Sequence, residues 1–304
     1  MRQPDSPLRD YDPPGPGESW TPIRLTRWSG EYLREKGIEN GRLDAELMLA
    51  QVLKVGRLDL YLQFDRPLHT RELEAFKALL VRRANREPLQ HLLKETPFRE
   101  LELRTDARAL IPRQETEILV GEVLAWAAGR GTDLSGLDVG TGSGAIALSL
   151  LKEGPFKKMV GTDLSREALE LAKENAEAHG LQGQFELREG PLFEPLHAGE
   201  RFDLVVSNPP YVPEGEGHSL QAEVRDWDPP EALFAGPEGL DVLLPLVKGA
   251  PGFLKPEGLL AMEIGDGQST RVVRAMEASG FFQGVSVRPD LTGRERVVLG
   301  VFSR

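Results

Sequence analysis

The first part of the chain has apolar residues at helical spacing. In the segment RLDAELMLAQVLKV, Leu43, Leu47 and Ala50 repeat at intervals of four and three residues, and residues 48–49 widen this apolar stripe. Such a pattern predicts an amphipathic helix with one face turned towards a core. The neighbouring segments WSGEYLREKGI and TRELEAFKALLVRRANRE show the same spacing.

These helical segments predict a small all-helical domain over residues 20–92. The third segment is expected to begin with Thr70 as its N-cap and to end before Pro88. Residues 1–19, which precede the domain, are rich in Pro, Gly and Asp and lack the apolar core of a signal peptide, so they are expected to form a disordered leader.

The segment 93–112 has a different pattern, because Leu101 and Leu103 alternate with charged residues as they do in a β-strand. We expect it to form a β-hairpin that connects the helical domain to the rest of the chain. The remaining domain, residues 113–304, alternates short apolar runs with helical segments.

Seven apolar runs in this larger domain are expected to be strands: LSGLDVG, KMVGTDL, FELREG, FDLVVSN, GLLAMEIG, GVSVRP and RVVLGVF. Helical segments separate most of them, such as SREALELAKENAEAHG, with Ser165 as its N-cap and Gly180 at its end. The alternation predicts an α/β fold, with a mostly parallel, Rossmann-like sheet covered by helices on both faces. The last two runs are separated only by a short turn, so they should pair antiparallel.

A glycine-rich loop, LDVGTGSGAIAL, joins the first of these strands to a helix. Asp138 ends the strand, and Gly140, Gly142 and Gly144 let the backbone turn tightly and approach a ligand. The spacing fits both a dinucleotide fingerprint and the pattern used for S-adenosylmethionine. In either case Asp163, at the end of the second strand, is positioned to hold two ribose hydroxyls. The alternative is a purely structural role, in which the glycines only allow close helix packing.

The sequence SNPPYVPE follows the fourth strand, where two prolines must end the ladder. Asn208 Oδ1 and the Pro209 carbonyl can each accept one N–H of a planar amino group, which orients its nitrogen for attack on a methyl group. Pro210 adds no competing N–H, and the Tyr211 ring can pack against the flat acceptor group. The alternative is a plain Asn-Pro turn with a packing tyrosine.

With these motifs in order, the chain resembles the release factor glutamine methyltransferases, the PrmC/HemK type of class I S-adenosylmethionine-dependent methyltransferases. The resemblance covers about residues 20–304 and depends on EPLQHLL, ALIPRQETEILV, LDVGTGSGAIALSL, GTDLSREALELAKENA, FDLVVSNPPYVP, EVRDWDPPEALFAGPEGLD, MEIGDGQ and LTGRERVVLG. It implies a class I methyltransferase fold behind a helical domain that docks the protein substrate.

The resemblance also implies the reaction and the site. The methyl group of S-adenosylmethionine would be transferred to N5 of the glutamine in the GGQ motif of class I peptide chain release factors, supporting translation termination and leaving S-adenosylhomocysteine. The substrate glutamine would bind residues 208–211. The residues implied for the donor are Asp138, Gly140, Thr141, Gly142, Ser143, Gly144, Asp163, Leu192 and Asn208. Pro191 departs from the family, which often has an aspartate there near the adenine.

Several further residues are candidates without a settled role. Glu263, at the end of the fifth strand, is as consistent with a structural role as with a site role. Arg113 and Glu117 could border the donor pocket, or could balance charge at a helix start. The polar segment 213–230 could cover the substrate or be a surface excursion.

Composition limits the alternatives. The formal net charge is −11, and residues 121–304 account for all of it, with 17 basic and 28 acidic side chains. This charge argues against DNA as a partner, and hence against adenine-N6 methylation of nucleic acid. N5-glutamine methylation of a ribosomal protein, a nicotinamide enzyme and a binding module without catalysis remain further alternatives.

The chain contains no cysteine, which excludes thiolate chemistry, and its five histidines lack metal-ligand spacing, so no metal is expected. No apolar run is long enough to span a membrane, and no targeting segment is evident. We therefore expect a cytoplasmic protein.

Overall fold

The computed structural model describes residues 19–303. The predicted leader, residues 1–19, lies outside the described residues except for its last position. The described residues divide into two compact units, one up to residue 94 and one from residue 95 onwards.

The first unit is helical. Its helices are α1 (Pro22–Glu35), α2 (Gly41–Leu53), α3 (Asp59–Leu62), α4 (Thr70–Ala84) and α5 (Leu89–Leu93). Large apolar side chains from four of these helices are buried together: Leu25, Leu33, Met48, Leu49, Leu60, Phe76 and Leu80. Burial of each such side chain contributes about 1.5–3 kcal/mol, and packing of this kind holds short helices together.

Two details of the helical prediction were wrong. The N-cap of α4 is His69, one residue before Thr70, and its backbone N–H donates to the Glu72 carboxylate at 2.8 Å. In α2, Ala45 and Met48 are fully buried whereas Leu43 is 39% exposed. Because α2 is apolar around most of its circumference, neighbouring helices rather than the sequence pattern decide which side is buried.

The basic cluster at the end of α4 is occupied by contacts within the unit. Arg82 Nε donates to Glu87 at 2.8 Å, and Arg83 Nε donates to Asp44 at 2.7 Å. Arg86 donates to the Gly37 carbonyl at 2.6 Å. These arginines therefore stabilise the connections between helices.

The second unit begins with an antiparallel hairpin, β1 (Glu95–Phe98) and β2 (Leu101–Arg104), followed by helix α6 (Gln114–Ala127). Seven strands follow: β3 (Leu134–Val139), β4 (Phe156–Asp163), β5 (Phe185–Glu189), β6 (Phe202–Ser207), β7 (Leu254–Glu263), β8 (Phe282–Pro289) and β9 (Glu295–Phe302). The helices among them are α7 (Ala145–Glu153), α8 (Arg166–Ala178), α9 (Ala222–Arg225), α10 (Leu243–Gly249) and α11 (Ser269–Ser279).

The seven strands form one sheet in the order β5-β4-β3-β6-β7-β9-β8. All neighbouring pairs are parallel except those of β9, which runs antiparallel to both β7 and β8. The predicted fold class, a Rossmann-like and mostly parallel sheet preceded in the sequence by a helical region, is confirmed. From β3 the chain continues to β4 on one side of the sheet, whereas from β6 it continues to β7 on the other side. The adjacent carboxyl ends of β3 and β6 therefore border the crevice where such sheets bind ligands.

Apolar residues cover both faces of this sheet. Along β4, Met159 belongs to a core cluster that includes residues of α6 and α7, whereas Val160 belongs to the cluster that includes residues of α10 and α11. Successive side chains of a strand point to opposite faces, so apolar runs without alternation require a helix layer on each side.

Candidate functional site

The glycine loop after β3 requires glycine for two different reasons. Gly140, Gly142 and Gly144 have φ angles of +70°, +54° and +82°, the left-handed region that other residues adopt at a cost. At Gly140 a Cβ would meet no atom within 4 Å, but at Gly144 it would lie 3.1 Å from the Phe185 ring. The close-packing interpretation therefore applies to Gly144, while Gly140 leaves open space beside the loop.

Asp138 lies beneath this loop and is fully buried. Its Oδ2 accepts hydrogen bonds from Thr141 Oγ1 at 2.7 Å and from the Ala147 N–H at 3.3 Å, and these contacts join the loop to the first turn of α7. Burial raises the pKa of Asp138 to about 7. Its other oxygen, Oδ1, has no hydrogen-bond partner within residues 19–303.

Asp163, at the end of β4, connects the first loop to the second. Its Oδ2 accepts from the Gly142 N–H at 2.8 Å, and its Oδ1 accepts from the Ser165 N–H at 2.9 Å. The Ser165 hydroxyl in turn caps α8 by accepting from the Ala168 N–H at 3.1 Å, as predicted. Burial raises the pKa of Asp163. Each carboxylate oxygen has a second lone pair that can accept a ligand hydroxyl.

A third loop, residues 190–192, follows β5. Leu192 has a φ of +48°, which is uncommon for a leucine, and its carbonyl accepts from Thr162 Oγ1 at 3.1 Å. Gly190 donates its N–H to the Asp163 carbonyl at 2.9 Å. The loop is therefore attached to β4, and the strained backbone at Leu192 is held in place by that strand.

The Asn-Pro-Pro-Tyr segment is attached to the glycine loop where β3 and β6 end side by side. The Ser207 hydroxyl donates to the Val139 carbonyl at 2.6 Å. Asn208 Nδ2 donates to Thr116 Oγ1, on α6, at 2.9 Å. The amide nitrogen of Asn208 is thereby engaged, so Oδ1 is the atom of this amide that remains to accept from a substrate.

Tyr211 contacts Glu263 rather than the crevice. Its hydroxyl donates to Glu263 Oε1 at 2.9 Å, and the carbonyl of Tyr211 accepts from Gln268 Nε2 at 2.9 Å. Burial raises the pKa of the tyrosine far above its ordinary value, with the Glu263 carboxylate as the second cause. The ring packs against the core cluster that includes residues of α10 and α11.

One cavity of about 470 Å³ collects most of the predicted site residues. The predicted residues that line it are Gly140, Thr141, Gly142, Ser143, Asp163, Leu192, Asn208, Pro209 and Pro210. Asp138, Gly144 and Tyr211 do not line it. Asp138 lies beneath the loop, Gly144 is the loop residue that packs against Phe185, and the Tyr211 hydroxyl is bound by Glu263.

Sequence reasoning missed some of the cavity wall. Thr116 lines the cavity. The next residue, Glu117, does not line it and instead accepts a hydrogen bond from the Arg99 N–H at 3.1 Å. Arg113 lines it as expected and forms a 2.5 Å ion pair with Asp228, whose side chain is fully buried. A polar residue one turn from a charged helix start carries no distinctive sequence signal, so only the fold could reveal Thr116.

The polar segment 213–230 contributes little to this wall. It contains a 3₁₀ helix at Glu214–Ser219 and the short helix α9, and neither lines the cavity. The residues that do are Pro229, Glu231, Ala232 and Phe234, at and beyond its end. An isolated parallel bridge between Val212 and Phe234 closes the base of this excursion.

The cavity fits a nucleoside-bearing methyl donor. Its volume is within the range of small-molecule and cofactor sites, about 300–1,000 Å³. The open space at Gly140 admits a ligand close to the backbone, and the Asp163 carboxylate at one wall can bind ribose hydroxyls. Pro191, which also lines the cavity, offers an apolar surface and no N–H.

Between residues 19 and 303 no group of three or more His, Asp or Glu side chains is arranged to hold a metal ion. No helix formed by the same residues combines the length and apolar character that crossing a membrane requires.

A Rossmann-like sheet with a glycine loop, Asp163 at the end of β4 and Asn208 at the same cavity is the arrangement of a class I methyltransferase. Residues 116–224 match the model of the methyltransferase small domain, and residues 24–93 match that of the PrmC N-terminal domain.

Comparison with known proteins makes the family specific. The chain is 43% identical to the release factor glutamine methyltransferase of Geobacter sulfurreducens, over 93% of this chain and 97% of the relative. It is 37% identical to the enzyme of that name from Chlorobaculum tepidum, over 91% and 96%. A methyltransferase structure from Pyrococcus furiosus shares the fold, with a TM-score of 0.51 at 16% identity over 67% of this chain and 90% of the other. The chain belongs to the release factor glutamine methyltransferase family.

Proposed function

We propose that this protein transfers the methyl group of S-adenosylmethionine to the side-chain amide nitrogen, N5, of the glutamine in the GGQ motif of class I peptide chain release factors. The observation that carries the proposal is that the glycine loop and residues 208–210 line one cavity. A nucleoside bound at the loop would thus be adjacent to acceptors for the N–H groups of a substrate, which a methyl transfer to nitrogen requires. Membership of the family supports the same substrate.

The donor site is proposed to comprise Gly140–Gly144, Asp163 and Leu192, with Asp138 supporting the loop from below. S-adenosylmethionine supplies an electrophilic sulfonium methyl group when bound. Asp163 would accept hydrogen bonds from ribose hydroxyls, while the loop backbone allows close approach at Gly140. Pro191 gives the adenine an apolar neighbour without a carboxylate.

The acceptor site is proposed to comprise Asn208, Pro209 and Pro210. An amide nitrogen is a poor nucleophile because its lone pair is delocalised. Asn208 Oδ1 and the Pro209 carbonyl would each accept one N–H of the substrate amide, orienting the nitrogen and stabilising the positive charge that develops on it. The stiff Pro-Pro backbone keeps these acceptors in place without reorganisation. Tyr211 would act on this site through Glu263.

The helical unit is proposed to dock the release factor, and residues 20–92, 93–112 and 113–304 would then serve as recognition domain, connecting hairpin and methyltransferase domain. We propose that the protein acts in the cytoplasm, where release factors meet ribosomes. The net charge of −11 and the pairing of Arg82, Arg83 and Arg86 support a protein rather than DNA as partner.

The test is to incubate the purified protein with S-adenosylmethionine and an unmodified release factor, and to map methylation by peptide mass spectrometry. We expect a gain of one methyl group on the GGQ glutamine, with Asn208→Ala slower by about 10²–10³-fold. A protein that binds the donor but leaves this glutamine unmodified would refute the proposal, and ribosomal proteins and then adenine in nucleic acid would be tested next. Stabilisation by NAD instead of S-adenosylmethionine would indicate a nicotinamide enzyme.

A further inference from the structure

Glu263 is a buried carboxylate between the Asn-Pro-Pro-Tyr segment and α6. It ends β7, is 1% exposed and does not line the cavity. Its Oε2 accepts from Thr116 Oγ1 at 2.7 Å, and its Oε1 accepts from the Tyr211 hydroxyl at 2.9 Å. A carboxylate taken this far out of water is costly, so its hydrogen bonds are expected to serve a purpose beyond stability.

The direction of these hydrogen bonds determines how Asn208 is oriented. When Glu263 is ionised its carboxylate can only accept, so the single hydroxyl proton of Thr116 is then directed at Glu263. Thr116 Oγ1 is then an acceptor towards Asn208, and the Asn208 Nδ2 group donates to it at 2.9 Å. The amide must therefore keep Nδ2 towards Thr116 and Oδ1 away from it.

Based on the proposed function, we propose that Glu263 and Thr116 are positioning residues, which hold the Asn208 amide in the orientation that accepts an N–H from the substrate glutamine. Neither residue needs to touch the reacting atoms. Their effect is to exclude the opposite amide orientation, in which Asn208 would present N–H groups to the N–H groups of the substrate.

Such an orienting contact is needed because the terminal torsion of asparagine is broad and roughly two-fold. Turning the amide by half a revolution exchanges an acceptor for a donor with little change in shape. Without the hydrogen bond to Thr116, the two orientations would compete and the substrate amide would find its acceptor only part of the time. The loss would appear in the rate of methyl transfer rather than in donor binding.

The second oxygen of Glu263 keeps the carboxylate in place. Tyr211 holds Oε1, and Gln268 holds the Tyr211 backbone through its carbonyl. Burial raises the pKa of Glu263, while the charge of Arg296 favours its ionised form and that of Glu115 opposes it. Hydrogen bonds thus hold the carboxylate from two elements: α6 and the segment that follows β6.

The test compares single-turnover methyl transfer, at saturating donor and release factor, among four single variants and one double variant of the full chain. Glu263→Gln keeps the shape of the side chain but replaces one carboxylate oxygen by an NH₂ group that can donate to Thr116 Oγ1. The threonine hydroxyl is then free to donate to Asn208 Oδ1. Thr116→Val removes the hydroxyl, whereas Thr116→Ser retains it. Glu153→Gln is the matched control, since the Glu153 side chain is only 9% exposed, accepts from Arg99 and lies outside the cavity lining.

We expect Glu263→Gln and Thr116→Val to slow methyl transfer by about ten- to a hundredfold, as misplacement of a reacting group does, while the donor dissociation constant stays at the wild-type value. Thr116→Ser should restore most of the rate, and Glu153→Gln should leave it unchanged. The double variant Thr116→Val/Glu263→Gln should be no slower than the slower single variant, because both changes break one chain of hydrogen bonds.

Full rates in both single variants, or multiplicative losses in the double variant, would overturn the inference. If Glu263→Gln unfolds at the assay temperature, the comparison of Thr116→Val with Thr116→Ser decides the matter alone. An inactive wild-type protein with bound donor is a different outcome, because it refutes the proposed reaction itself, whereas an active wild type with unaffected variants refutes only the positioning role.

Discussion

Replacing Gly140 by alanine separates donor binding from backbone strain, because the chain contains a matched control. Gly140 and Gly180 both have a φ of +70°, and at neither would a Cβ meet an atom within 4 Å. Gly140 lines the cavity, whereas Gly180 follows the end of α8 and does not. The two substitutions therefore impose the same conformational cost and differ only in what occupies the space beside them.

The magnitude follows from the left-handed backbone. An alanine held there costs about 1–2 kcal/mol. For a unit of this size each kcal/mol lowers Tm by about 2–4 °C, so both variants should melt about 2–8 °C below the wild type without ligand. The two Tm values should agree with each other more closely than either agrees with the wild type.

The assay is thermal unfolding with and without S-adenosylmethionine. At a donor concentration of about 100 times Kd, the wild type and Gly180→Ala should gain about 2.7 kcal/mol of stability. Gly140→Ala should lose most of this gain, because its methyl group occupies the space through which the donor approaches the loop. An equal ligand-induced rise in Tm for both variants would show that the donor does not bind against Gly140.

Three further predictions concern buried charge. Asp163→Asn should weaken donor binding in calorimetry and lower the free energy of unfolding by about 1–3 kcal/mol. The reason is that one carboxylate oxygen becomes an N–H₂ group that faces a backbone N–H. Unchanged donor binding would contradict the proposed role of Asp163. Burial raises the pKa of Glu263, so the rate should fall as pH drops through that raised value and the carboxyl gains a proton, and Glu263→Gln should lose this acidic limb. Because the native state holds the extra proton, the Glu263 contribution to the free energy of unfolding decreases as pH rises from its ordinary pKa to the raised one. Asp44→Ala should cost about 3–5 kcal/mol in denaturant unfolding because it breaks the buried pair with Arg83, whereas Asp226→Ala, on an exposed pair, should change nothing measurable.

Local signals were sufficient for much of the fold and for the backbone of the glycine loop. The N-cap at Ser165 and the left-handed glycines at Gly140 and Gly142 depend on backbone preferences of one or two residues, which act in any context. The seven apolar runs were each found as a strand because a short apolar run between turn and helix signals is a local pattern as well. The buried face of α2 was predicted less well, because packing against neighbouring helices decides which side of α2 is buried. Leu43, which the pattern placed on the apolar face, is exposed.

The acceptor side depended on contacts between distant residues. Asn208 lines the cavity and Tyr211 does not. The two residues belong to the same short motif, so their positions in the sequence do not predict this difference. The tyrosine is turned away because Glu263, 52 residues later, accepts its hydroxyl. Side-chain direction after a Pro-Pro turn is decided by available partners, and those partners come from other elements.

By itself, the sequence determined the fold class, the glycine loop proposed to bind the donor and the residue types proposed to hold the substrate amide. Only the tertiary structure decided how the Asn208 amide is oriented. Asn208 contacts Thr116, which lies 92 residues away in the sequence, and Thr116 contacts Glu263, which lies 147 residues away. The physical reason is that backbone conformation is set largely by adjacent residues, whereas the direction of a hydrogen bond is set by which donor and acceptor the fold brings within 3 Å of each other.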